Sequence, residues 1–307
     1  MSIIVDYVHC QKVEEFLKEI SPLRVPVECS LQWIYRGVCS FENHKLVPRI
    51  LRDEKPPWHE IGLHEGGNPV DIARGHPTVE YGVMCRFFRA LDENGLPVPG
   101  DSPALSLRFY LSGGRSLLDD LDQSTRWPPH WIVELMALAQ HYGLSTRLLD
   151  WSRSPLHAAY FAVTDAFKPE FNPEGRLAVW CFHHALTRTL LVESPLQIVN
   201  VPSYGNPNLQ AQKGVFTLWP TPISPYDKDD DRKPLDEKVA AILNVETIDG
   251  EPFYPFRCVT LPRAQTPQLA DALHQYGIDA GSLFPGLAGA AQCVRERSAV
   301  QLLKRST

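Results

Sequence analysis

The sequence predicts an α+β fold, with a mixed or antiparallel sheet surrounded by helices and possessing a single core. Three observations support this. Trp33 to Arg36, Leu177 to Phe182, Val215 to Trp219 and Phe256 to Leu261 are rich in β-branched and aromatic side chains, as strands are. Other stretches carry apolar residues at helical spacing. The chain of 307 residues is 44% hydrophobic, enough apolar material for a sizeable core. No internal repeat or sharp change of composition marks a boundary. The expected organisation is one domain over 1–307, with its core at about 30–290 and short helical extensions at either end.

Val13 to Ile20 reads as a short amphipathic helix, with Val13, Phe16, Leu17 and Ile20 on one face and Ser21-Pro22 closing it. Ser30 to Gly37 follows as a strand, and Leu46 to Leu51 as the start of a helical turn. Asp53 to Gly75 bears proline and glycine among polar residues and reads as a loop. A helix is predicted over Thr78 to Ala90. Asp92 to Pro103 and Gly113 to Pro129 look like surface excursions on either side of the apolar segment Leu105 to Leu111. Trp131 to Gln140 is the clearest helix, stopped by Gly143. Ser154-Pro155 opens another, with serine able to cap and proline preset at the first position; Ala158, Ala159 and Ala162 on it would let a neighbour approach closely. Gly175 to Phe182, Gly214 to Trp219 and Tyr254 to Leu261 read as strands. Pro220 to Lys238, with its DKDDDRK run, reads as a solvated loop. Thr266 to Tyr276 and Gly286 to Leu303 read as helices about the turn Gly277 to Gly286. The 27 prolines imply long irregular connections.

A net charge of −6 argues against a nucleic-acid footprint over the whole surface and leaves room only for a local basic pocket. No run approaches the roughly 20 apolar residues that span a bilayer, and the acidic start MSIIVDYVHCQKVEEF does not resemble a secretory leader. A cytoplasmic protein with no membrane partner is expected. The seven scattered cysteines lack a C-x-x-C pair, so reduced and mostly buried thiols are expected. No Walker-type loop, hydrolase elbow or metal-ligand cluster is evident, and no metal is predicted.

Polar residues concentrate at 140–162, where His141, Thr146, Arg147, Asp150, Ser152 and Arg153 lie between Gly143 and Pro155. This segment reads as a loop between two helices, a common location for functional side chains. Arg36 ends its strand beside Gly37; its planar fork suits either phosphate oxygens or a structural carboxylate. Arg147 and Asp150, three apart, either close the loop as a charge pair or face a ligand. His141 suits a general base, a ribose hydrogen-bond donor or a structural polar group.

Tyr35-Arg-Gly37, QHYGLSTRLLDW at 140–151, and Pro155 followed by AAYFA at 158–162 together resemble the FRG-domain family, named for an aromatic-Arg-Gly motif. QKGVF at 212–216, YGID at 276–279 and LFPGL at 283–287 resemble its later signatures, extending the resemblance from about 30 to about 290. A weaker resemblance is to mono-ADP-ribosyltransferases. It rests on the order Tyr35-Arg36, then DWSRS at 150–154 before AAYFA, then QAQKGVF at 210–216. It implies an ADP-ribosyltransferase-like fold and a nucleotide-type pocket for NAD. Tyr35, Arg36, Gly37, Thr146, Arg147, Ser152 and Ser154 would bind the cofactor, and Arg36, His141, Asp150 and Gln212 would serve catalysis. The implied activity is ADP-ribosyl transfer or NAD cleavage in bacterial conflict or defence, with a protein acceptor or partner. The alternative is a non-catalytic module that senses a nucleotide or protein. Where the transferase pattern carries glutamate, this chain has Gln212 and Gly214, so another acid, Asp150 or Glu134, would have to stabilise positive charge on the ribose.

Overall fold

The computed structural model of the chain describes residues 4–24, 32–43, 45–52, 75–111, 126–168, 171–185, 194–201, 207–222, 232–243, 247–248 and 250–306. Most of the polar loop expected from Asp53 to Gly75, and residues 113–125 of the second expected excursion, lie outside the described residues, as does 223–231 of the solvated loop.

Seven strands form one mixed sheet: β1 (Val5–His9), β2 (Trp33–Val38), β4 (Leu149–Ser152), β5 (Arg176–His183), β6 (Gln197–Val199), β7 (Gly214–Leu218) and β11 (Phe256–Pro262). Their order is β1-β11-β5-β2-β4-β7-β6. β1 runs parallel to β11, and every other pairing in this sheet is antiparallel. Two short ribbons pair β3 (Arg126–Trp127) with β8 (Thr221–Pro222) and β9 (Thr247–Ile248) with β10 (Glu251–Pro252). The helices are α1 (Val13–Ile20), α2 (Gly75–Glu93), α3 (Pro103–Leu111), α4 (Val133–His141), α5 (Pro155–Val163), α6 (Pro207–Ala211), α7 (Leu235–Ile242), α8 (Thr266–Gln275), α9 (Ala280–Leu283) and α10 (Leu287–Ser306). No helix among the described residues is long and apolar enough to cross a membrane.

The period-2 geometry of a strand sends alternate side chains to opposite faces of the sheet. Tyr35, Leu177, Val179, Cys181, Val259 and Leu261 face one layer, where they pack with Phe16 and Ile20 of α1, Ala159 of α5 and Leu269 of α8. Ile34, Ala178, Trp180, Phe182, Phe256 and Cys258 face the other, with Leu235 and Val239 of α7. Phe182 and Phe256 stack there with ring centroids 4.5 Å apart. A third core joins α2, α3 and α4 to the far side of the sheet through Leu148, Phe216 and Leu218; Phe88, Phe109 and Trp127 lie within it.

Gly37 fixes the distance between β2 and α5. A Cβ on it would stand 1.8 Å from the Ala158 carbonyl oxygen and 2.7 Å from the Ala162 nitrogen, so helix and strand meet backbone to backbone. The alanines on α5 supply the other half of that approach. At the start of the helix, the Ser154 hydroxyl accepts from the His157 amide at 3.4 Å, and Pro155 occupies the first turn.

The four predicted strands all enter the main sheet, but the segment after α4 departs from the expected loop between helices. Within it Leu149 and Trp151 are buried while Asp150 between them is exposed, and these residues with the buried Ser152 form β4 against β7. So short a pattern is masked in sequence by the turn residues on either side. Leu105 to Leu111, the apolar segment between the two expected excursions, belongs to α3 and buries Phe109, while Trp127, within the second expected excursion, is fully buried. Within the expected turn Gly277 to Gly286, Asp279 caps α9: its side chain accepts from the Ser282 amide while Ser282 accepts from the Asp279 amide.

Gly37→Ala is expected to destabilise the fold by about 3 kcal/mol, because backbone atoms cannot yield as side chains do, and urea unfolding measures it. A second expectation concerns His183, 5% exposed in β5, whose burial pushes its pKa down to about 4. Below the ordinary value near 6.5, the unfolded chain takes up a proton that the folded chain refuses until about pH 4, so stability falls as pH drops through that window. This group alone should cost about 2 kcal/mol between pH 7 and pH 5; unfolding curves of His183→Gln should show a correspondingly shallower pH dependence.

Candidate functional site

Where β2, β4 and the start of β7 lie side by side, they form one wall of a cavity of about 370 Å³. The end of α4, the inner face of α5, Leu209 of α6 and the turn containing Arg49 and Arg52 complete it. Tyr35, Arg36 and Gly37 reach it from β2, His141 from α4, and Asp150 and Ser152 from β4; Gln212 reaches it from the loop before β7.

Arg36 is buried, with a side chain 10% exposed, and its Nη1 donates to Asp150 twice, at 2.6 Å to Oδ2 and at 2.8 Å to the backbone oxygen. Its Nε is buried with no hydrogen-bond partner. Gln140 Nε2 donates to the other Asp150 carboxylate oxygen at 3.2 Å. The Thr146 hydroxyl donates to Gln140 Oε1 and accepts from the Leu148 amide. Thr146 thus orients the group that holds Asp150, without lining the cavity itself.

Opposite this pair, the Gln212 carbonyl accepts from Ser152 Oγ at 2.8 Å and from His157 Nδ1 at 3.1 Å. Because a carbonyl can only accept, His157 carries its proton on Nδ1. Burial lowers the pKa of that imidazole and keeps it neutral near pH 7. The Gln212 side chain donates to the Leu283 carbonyl at 3.3 Å. Lys213, next in the chain, adopts φ 51°, an uncommon left-handed conformation for a residue with a side chain. His141 Nε2 accepts from the Asn208 amide at 3.0 Å, leaving Nδ1 as the protonated nitrogen, and burial lowers its pKa too. In this geometry His141 offers a donor at Nδ1, while its basic nitrogen is engaged.

Three of the sequence-predicted residues lie elsewhere. Arg147 is buried and directed away from Asp150: its guanidinium pairs with Glu80 of α2, with Nε 2.8 Å from Oε2, and Trp127 Nε1 donates to the same oxygen at 2.8 Å. Of the two readings of Arg147 and Asp150, the mutual charge pair does not form: Arg147, in the bend before β4, pairs with Glu80, and Asp150, within β4, pairs with Arg36. Ser154 caps α5, and Thr146 acts through Gln140. Glu134, the other candidate acid, sits against Gly100. Among the wall residues absent from the sequence reading of the site are Arg49, Arg52, Phe161, Phe216 and Phe284. Arg49 and Arg52, three apart around a helical turn, left a weak signal, whereas Phe284 reaches the site only through the docking of α9. Among the described residues no three His, Cys, Asp or Glu side chains form a group able to hold a metal ion.

Residues 31–170 match the family model of the FRG domain. That stretch supplies β2, α4, β4 and α5, while Gln212, Phe216 and Phe284 complete the cavity from beyond it. No match was found among curated proteins or among solved structures.

Replacing Arg147 by alanine leaves the Glu80 carboxylate buried without its cation, and the expected loss of stability in urea unfolding is about 4 kcal/mol. Arg153→Ala, which removes an exposed contact to Asn200, should change stability by less than about 0.5 kcal/mol.

Proposed function

From the match of residues 31–170 to the FRG-domain model, we propose that the cavity beside the Tyr35-Arg-Gly37 strand is a nucleotide-type site with NAD as the first candidate ligand. The observation that supports this reading is the meeting of Arg36, Arg49 and Arg52 with aromatic rings in one recess of a chain whose net charge is −6. Guanidinium groups suit phosphate oxygens, and aromatic walls suit a planar base. The volume of about 370 Å³ lies within the range of small-molecule sites.

Within that site the leading activity is NAD cleavage or ADP-ribosyl transfer, with a role in bacterial conflict or defence. Cleavage breaks the bond from the ribose C1′ to the nicotinamide nitrogen; water adds its oxygen at C1′, and ADP-ribose, nicotinamide and a proton are released. Asp150 is the acid best placed to stabilise the positive charge that develops on the ribose. Its side chain is 61% exposed, and Arg36 and Gln140 fix its position. A module that senses a nucleotide or partner protein without catalysis is the second reading. It is favoured by Gln212, which brings an amide where the transferase pattern has a carboxylate.

Calorimetric titration of NAD, with nicotinamide release followed in the same samples, separates these readings. The wild type should bind, and Arg36→Ala should bind at least about tenfold more weakly, since it strips Asp150 of its cation beside an anionic ligand. Release by the wild type and its loss in Asp150→Asn would establish the enzyme. Binding without release would establish the sensing module, and absence of binding would remove NAD from the account.

A further inference from the structure

We infer that a second pocket, between α5, α8 and α10, is a binding site for a small organic amine, an ammonium group on an apolar body the size of a ring with a short chain. The pocket has a volume of about 180 Å³ and lies apart from the cavity beside β2. α5 and α9 separate the two: Tyr160 and Asp279 line this pocket, Phe161 and Phe284 the other. The inference therefore stands independently of the nucleotide reading.

Val163, Phe167, Leu273, Ile278 and Val300 make the pocket largely apolar. An apolar cavity of about 150 Å³ takes up benzene, so this one has room for a ring and a short chain. Such walls do not suit a hydrated inorganic ion, and no three His, Cys, Asp or Glu side chains among the described residues form a group able to hold a metal. The most deeply buried acid of the lining is Glu296 of α10, 6% exposed. Its Oε1 accepts from the Tyr160 hydroxyl at 2.7 Å and from Gln292 Nε2 at 2.8 Å, and the carboxylate also accepts from the Ala280 amide. A carboxylate has about four acceptor positions, so one stays open, and none of these donors carries a positive charge. The cations around the pocket are directed to other acids. His274 Nδ1 lies 3.2 Å and Arg297 Nη2 3.5 Å from Asp279 Oδ2, both with half-exposed side chains, and Lys304 pairs with Asp271. A carboxylate buried without a counter-ion is costly, and burial pushes the Glu296 pKa up. An ammonium in the pocket supplies the missing charge where water screens least, and the Tyr160 and Phe167 rings, 6.4 Å apart, favour a cation further.

The test is calorimetric titration of 2-phenylethylamine, 2-phenylethanol and 3-phenylpropionate at pH 7 into the wild type, Glu296→Gln and Ala270→Leu. The three ligands share a ring and differ in charge. Ala270 lines the pocket from α8, so leucine there fills the space without removing a hydrogen bond. The wild type should bind the amine at about 1 mM or tighter, and at least about tenfold more tightly than the alcohol or the acid. Glu296→Gln should lose about tenfold for the amine and leave the alcohol unchanged, and Ala270→Leu should weaken both by at least about tenfold. Equal affinity for amine and alcohol in the wild type would overturn the inference, as would an amine affinity that survives Glu296→Gln. Binding unaffected by Ala270→Leu would place the amine elsewhere, and a wild type that binds none of the three would leave the pocket without this role. Should Glu296→Gln not fold, the ligand series with the wild type and Ala270→Leu still decides the outcome.

Discussion

The contact on which the site depends is the backbone approach of α5 to β2 at Gly37. With no Cβ there, the Ala158 carbonyl can lie where any other residue would place a carbon. The close packing draws the N-terminal turn of α5, and with it Ser154 and His157, against the neighbouring strands, where the Ser154 amide donates to Ser152 of β4. It also places Arg36, one residue before the glycine, beside β4. Arginine and glycine adjoin in this motif because one residue sets the depth of the helix and the other reaches from that depth to Asp150.

The polar groups around the cavity are organised in two arms. One runs from Thr146 through Gln140 to Asp150 and Arg36. In the other, Ser152 and His157 converge on the Gln212 carbonyl while the Gln212 side chain reaches Leu283. Buried polar groups are costly unless paired, and a connected network holds its members in one arrangement. The second arm ties the strand region of the matched stretch to chain that follows it by more than forty residues. The cavity is thus a joint product of residues inside and outside the matched stretch 31–170.

The distribution of charge sets the cavity apart from the rest of an acidic chain. Three arginines and one lining aspartate share the recess, whereas the acidic excess is spread over the rest of the sequence. The Arg147–Glu80 pair adds no net charge and serves the core, where it joins α2 to the segment between α4 and β4 and satisfies the Trp127 indole. Arginines close in sequence within one motif therefore do separate work: Arg147 in the core, and Arg153 at the surface against Asn200.

The sequence by itself determined the elements whose signals are local. Val13 to Ile20 is helical as its apolar spacing predicts, Ser154-Pro155 starts α5, and the four predicted strands lie in one mixed sheet. It also marked Arg36, His141, Asp150, Ser152 and Gln212, which share one cavity. Tertiary structure alone decided the partners. Whether Asp150 meets Arg147 or Arg36 depends on which way a four-residue strand turns its side chains, and that is fixed by pairing with β7, about sixty residues later. Arg49, Arg52 and Phe284 join the site through the docking of short turns and helices. β1, an edge strand of five residues, is recruited by β11 from the other end of the chain. Periodicity and capping are written between near neighbours along the chain, whereas a side chain's partner is chosen by packing between segments whose separation no local pattern records.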